Sequence, residues 1–136
     1  MTRPIIEWVK LYTSPEELYR TYVDSERHSA MTGMPAKMGE TIGGRWSAFG
    51  GSISGTNLMF LPGKMIVQTW RSTNFKKTDP DSILVMTFGK TSDGAGQIDL
   101  VHVNVSEQDY KGVANGWNQY YWIPWRAYIK KMKGKK

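Results

Sequence analysis

His28 and His102 are the only histidines in the chain and the side chains best suited to proton transfer near neutral pH. They are far apart in sequence and have no metal-ligand spacing between them. A general base also needs a partner within hydrogen-bond reach, and the sequence names none. Cysteine is absent, which excludes a disulfide scaffold, a Cys-based zinc site and a thiol nucleophile. The run Gly50-Gly51-Ser52 lacks the Gly-Lys-Ser/Thr ending of a phosphate loop and lies between two strands, so its glycines serve a bend or bulge. His102 is in phase with Ile98 and Leu100, whereas Val101, Val103 and Val105 share the opposite face. Such a histidine reads first as a satisfied core group and second as a polar contact for a ligand.

The other chemistry-bearing feature is aromatic. Six Trp, seven Tyr and four Phe occur in 136 residues. Trp117, Tyr120, Tyr121, Trp122 and Trp125 crowd one stretch and nearly surround any helix formed there. A helix apolar on most sides is buried on most sides, or meets a partner or ligand. Interleaved aromatic and basic residues also suit nucleic acid, but the charge does not support that. The net charge of +6 is concentrated in Lys130, Lys131, Lys133, Lys135 and Lys136; without them 13 basic residues stand against 12 acidic ones. The expectation is no nucleic-acid partner and a frayed basic tail over 130–136. No apolar run reaches the roughly 20 residues of a membrane span, and no secretory leader opens the chain. A cytoplasmic protein without a membrane partner is expected.

The elements that position these residues follow from periodicity and punctuation. Ile5 to Tyr12 alternates as a strand. Ser14-Pro15-Glu16-Glu17 is a capping box with Pro at the first helical position, opening a short helix that buries Leu18, Tyr22 and Val23 and ends near Asp24. Ser25 to Thr32 forms a second helical turn, and residues 33–44 a glycine-rich loop. Strands follow over Arg45–Phe49, Ile53–Leu61, Met65–Arg71, Ser82–Phe88 and Gln97–Val105. A type II turn, Leu61-Pro62-Gly63-Lys64, joins the second and third of these. From Asp109 to Lys133 the period becomes helical, with a stripe of Val113, Trp117, Tyr120 or Tyr121, Pro124, Tyr128 and Met132. Pro124 should bend this helix. The order strand, helix, five strands, long helix predicts one α+β domain over 1–136: a curved antiparallel sheet wrapped around the C-terminal helix.

Four segments resemble a known family: His28-Ser-Ala-Met-Thr-Gly33, Gly43-Gly-Arg-Trp-Ser-Ala-Phe-Gly-Gly-Ser-Ile-Ser-Gly55, Ile66-Val-Gln-Thr-Trp-Arg71 and Gly116-Trp-Asn-Gln-Tyr-Tyr-Trp122. Together they look like the C-terminal, or AHSA1, domain of the Hsp90 ATPase activators, within the START-like or Bet v 1-like (SRPBCC) superfamily. The resemblance covers about residues 5–130. It implies a helix-grip fold with a cavity under the helix, and an Hsp90-type chaperone as partner. Activators of this kind carry a separate N-terminal domain for which 136 residues leave no room. Superfamily relatives bind small apolar molecules, and some cyclise them.

Two functions are therefore expected. The first is a stand-alone, non-enzymatic chaperone-regulating module that stabilises one conformation of an Hsp90-type chaperone. The second is a carrier or sensor of a small hydrophobic ligand; an enzyme acting on such a ligand is a third reading. Strand and helix phase place Trp46, Phe49, Trp70, His102, Trp117, Tyr121 and Tyr128 around the cavity. His102 with Tyr121 or Tyr128 would orient a ligand. No catalytic residue, metal or cofactor is assigned.

Overall fold

The computed structural model describes residues 2–134. Six antiparallel strands form one sheet in the order β1-β6-β5-β4-β3-β2. They are β1 (Thr2–Leu11), β2 (Arg45–Ala48), β3 (Ile53–Leu61), β4 (Met65–Ser72), β5 (Ser82–Lys90) and β6 (Gly96–Ser106). Alternation decides which side chains enter the core. Ile5, Val9 and Leu11 of β1 are buried, as are Leu84, Met86 and Phe88 of β5 and Ile98, Leu100 and His102 of β6. The β3–β4 turn closes through Lys64 N–H on the Leu61 carbonyl at 2.8 Å, with Gly63 at φ 76°.

Two short helices, α1 (Pro15–Val23) and α2 (Ser25–Thr32), follow β1. Ser14 Oγ accepts from Glu17 N–H, so the capping box is half made, and Asp24 ends α1 and caps α2. Leu18 and Tyr22 are buried and Val23 is half-buried. The loop after α2 is pinned from beneath by a buried polar chain. Tyr22 O–H donates to Gln68 Oε1, Gln68 Nε2 to Asn57 Oδ1, and Asn57 Nδ2 to the Met38 carbonyl, each at 2.9 Å.

The C-terminal segment is helical throughout but not uniformly wound. A regular helix α3 (Tyr110–Trp117) passes into one wide π-helical turn, Asn118–Trp122, and then into α4 (Ile123–Gly134). In the wide turn Ile123 N–H donates to the Asn118 carbonyl, five residues back. The expected bend at Pro124 takes this form. The turn before the proline holds one extra residue, and this widening accommodates, within a continuous helix, the backbone hydrogen bond that Pro124 cannot donate. The extra residue rotates everything beyond it by about 100°. Trp122 and Trp125, outside the stripe expected from a 3.6-residue period, are therefore buried, while Met132 is exposed. Tyr121 faces in and Tyr120 faces out, 53% exposed.

A second departure lies in β6. Asn104 sits at φ 68°, so the alternation shifts there and Val105 enters the core instead of sharing the outer face of Val101 and Val103. The helix continues through Lys130, Lys131 and Lys133, all exposed; Lys135 and Lys136, the rest of the expected basic tail, lie outside the described residues.

Candidate functional site: a cleft under the C-terminal helix

The sheet and the first half of the C-terminal helix enclose a cleft of about 760 Å³, open to solvent on one side. Phe49 and Ile53 wall it at the β2–β3 connection, Trp70 and Phe75 at the end of β4, and Trp117 and Tyr121 from the helix. Ser72, Thr73, Asn74 and Gln108 form a polar rim. Gly112 and Gly116 give the helix a low surface over the cleft. An apolar interior with a few polar groups at the mouth is the usual construction of a small-molecule pocket.

Phe49 spans the cleft edge. The strand expected to reach Phe49 stops at Ala48, because Phe49 adopts φ 53°. Left-handed backbone at a bulky residue is strained and persists only where packing compensates. Here the ring packs edge-to-face on Tyr120 at 5.9 Å and on Tyr121 at 5.5 Å between ring centres. Phe49 thus joins the β2–β3 turn to the helix.

Behind the wall, both histidines are locked as neutral imidazoles. Trp117 Nε1 can only donate, and it lies 3.2 Å from His102 Nδ1. The proton of His102 is therefore on Nε2, which donates to Ser82 Oγ at 2.8 Å, and Ser82 O–H donates to the Trp70 carbonyl at 2.6 Å. Burial pushes the His102 pKa down to about 3. His28 carries the opposite tautomer. Its Nδ1–H donates to the Tyr22 carbonyl, and its Nε2 accepts from Tyr121 O–H, both at 2.8 Å. Burial pushes its pKa down to about 4, against a smaller upward pull from the Tyr22 carbonyl. Burial also raises the Tyr121 phenol well above 10, and the Tyr22 phenol beside it raises it further. No group here titrates near neutral pH, so the cluster is built for rigidity rather than proton transfer.

Of the seven side chains expected at the cavity, Phe49, Trp70, Trp117 and Tyr121 line the cleft. His102 lies one layer behind, its polar atoms consumed by Trp117 and Ser82. Trp46 is fully buried beneath β3 and donates from Nε1 to the Thr69 carbonyl at 3.0 Å. Tyr128 is half-buried and farther along α4, away from the cleft. Phase alone missed Ile53, Phe75 and the glycine-flattened helix face; Gly112 and Gly116, one turn apart, were the available signal. Trp70 Nε1 is fully buried and has no hydrogen-bond partner among the described residues. Among those residues no cluster of three or more metal-ligating side chains occurs, and no helix is long and apolar enough to cross a membrane.

The family model described as activator of Hsp90 ATPase homolog 1-like protein matches residues 12–123. This chain belongs to that family. The AHSA1 relatives include the activator of 90 kDa heat shock protein ATPase homolog of Dictyostelium discoideum, 29% identical over 106 residues. That match covers 78% of this chain and 27% of the relative. Homolog 1 of Homo sapiens is 28% identical over 109 residues, covering 80% of this chain and 32% of its own length. The chain thus spans about a third or less of these relatives. Among solved structures, an HSP90 activator from Plasmodium falciparum superposes with a TM-score of 0.81 at 23% identity, covering 96% of both chains. A Mesorhizobium loti protein superposes with a TM-score of 0.80 at 19% identity, covering 95% of this chain and 98% of its own. At those identities the superpositions establish the helix-grip, Bet v 1-like fold of the AHSA1 domain.

Proposed function

We propose that this AHSA1 domain is a non-enzymatic regulator of an Hsp90-type chaperone in the cytoplasm. It would bind one conformation of the chaperone better than the others and so change its ATPase rate. The observation that carries this reading is the family match over 12–123, joined to curated relatives that are ATPase activators. The interior supports it indirectly. The buried histidines are hydrogen-bonded into the core and kept neutral, which leaves the surface as the working part. The test is the steady-state ATPase rate of Hsp90 from the same cells with and without the purified chain. A change in turnover that saturates with added chain supports the reading; unchanged turnover at saturation removes it.

One observation favours a second reading, a carrier or sensor of a small apolar molecule. The cleft is well above the roughly 300 Å³ that a small-molecule pocket requires. Phe49, Trp70, Trp117 and Tyr121 would supply the apolar contact. Trp70 Nε1, buried without a partner among the described residues, would donate to a ligand oxygen after a small rotation of the ring. Native mass spectrometry of the chain purified from its own cells tests this: a retained small molecule supports it, and bare chain removes it.

A further inference from the structure

We propose that the solvent face of α4 is the surface through which this chain meets its protein partner, and that the partner presents a carboxylate-bearing helix to it. The proposal rests on the chaperone reading for the identity of the partner, and adds where and by what chemistry the two meet. Charge is divided unevenly along the chain. All 12 acidic residues lie at or before Asp109. Of the 18 basic residues seven follow it, which leaves 11 against those 12 acids. The body is thus close to neutral, and the helical segment from Tyr110 onward carries cations and no acidic side chain.

The fold gathers part of that charge on one face. Trp122 and Trp125 turn into the core. At about 100° per residue, Ile123, Ala127 and Lys130 then point to solvent within about 60° of one another, with Arg126 flanking them on one side and Lys131 on the other. All five side chains are exposed. Among the described residues the ion pairs start from Arg3, Lys10, Arg20, Arg27 and Arg71, and none involves Arg126, Lys130 or Lys131. Lys133 instead shares a shallow groove with Glu16 and Asp93. Arg126 and Lys130 stand four residues apart, a spacing at which like charges destabilise a helix. The helix dipole favours Lys131 in the last turn, but its effect fades within that turn and does not reach Arg126. The row is therefore unfavourable within the isolated chain, and an opposing row of carboxylates relieves it.

Three features select a protein helix as the occupant. Ile123, 55% exposed, and Ala127 stand among the cations, so the matching surface is apolar as well as anionic, unlike a phosphate backbone. A helix that lies in a membrane surface inserts an apolar face. That of α4 is buried against the sheet, and Met132 points about 180° away from Ile123. Finally, Arg126 and Lys130 lie one turn apart, the same spacing as two carboxylates at i and i+4 of a partner helix.

Titration calorimetry of the full chain against Hsp90 from the same cells, at about 50 mM and about 300 mM salt, tests it. Arg126→Glu and Lys130→Glu should each weaken binding about tenfold at the lower salt, and the unaltered chain should lose affinity at the higher one. Lys77→Glu, the same change of charge on the exposed loop between β4 and β5, should leave binding within about twofold. Each α4 variant places a glutamate four residues from a remaining cation, so its melting temperature should be unchanged or raised. Binding that ignores both α4 variants, or falls as far in Lys77→Glu, overturns the proposed surface and leaves the chaperone reading in place. No binding by the unaltered chain removes both. Binding as tight to a duplex DNA of about 20 base pairs or to phosphatidylserine vesicles, and lost in the α4 variants, assigns the face to another class of partner and overturns the proposal.

Discussion

Acidification between pH 6.5 and 5 should destabilise this chain strongly, and the two histidines set the size of the effect. The folded chain holds both imidazoles neutral, with pKa values of about 4 for His28 and about 3 for His102. The unfolded chain protonates each near pH 6.5. Unfolding therefore takes up protons below that value, and stability falls as pH falls. Each histidine contributes about 1.4 kcal/mol per pH unit in the window between its unfolded and folded pKa. From pH 6.5 to 5 the pair removes about 3 kcal/mol, since the unfolded imidazoles are only half protonated at the start of that window; this is a large part of the roughly 5–15 kcal/mol that stabilises an ordinary domain. The geometry explains why neither escapes by taking a proton. Nδ1 of His102 faces the Trp117 N–H, and Nε2 of His28 faces a phenol that would have to turn its hydroxyl away. Urea denaturation at half-unit pH steps from 7.5 to 5 measures the slope. Asp93, held down to about 2 by Lys10 and Thr91, titrates below that range and does not interfere. The expected slope between pH 6 and 5 corresponds to about two protons, falling to about one in His28→Gln. Stability independent of pH across that range would refute the neutral, locked histidines.

Two further substitutions test the backbone of β3 and of the β2–β3 connection. A Cβ on Gly55 would lie 1.9 Å from the Thr69 carbonyl oxygen and 2.8 Å from Trp46 Nε1. Gly55→Ala should therefore cost about 3 kcal/mol or more in denaturant unfolding, and a loss under 1 kcal/mol would mean that β3 and β4 do not approach this closely. At Phe49, φ 53° reverses the usual ranking of small residues. Phe49→Gly should be about 1 kcal/mol more stable than Phe49→Ala, and the opposite order would show that this backbone is not left-handed in solution.

Much of this arrangement was legible in the sequence, for identifiable reasons. The capping box at Ser14, the Pro62-Gly63 turn and the alternation of Ile98, Leu100 and His102 are local signals, and α1, the β3–β4 hairpin and most of β6 follow them. What failed depended on a single residue inserted into a regular period. The wide turn at 118–122 took Met132 of the expected stripe out of the core, and the left-handed Asn104 brought Val105 into it. Neither insertion alters composition, so a fixed 3.6 or 2.0 period cannot register it. The cleft shows the same limit. Phe49, Trp70, Trp117 and Tyr121 are placed by phase within one element. The burial of Trp46 and the capture of His102 by Ser82 and Trp117 depend on side chains from several elements meeting in space.

The central claim, that this chain regulates an Hsp90-type chaperone, is tested most directly by its affinity for the chaperone in two nucleotide states. Titration calorimetry should be run against apo chaperone and against chaperone held closed by a non-hydrolysable ATP analogue. A ligand shifts a conformational equilibrium only by the ratio of its affinities for the two states. Binding at least about tenfold tighter to the closed state is the expected result for an activator. Equal affinity for both states, or no binding to either, would contradict the account.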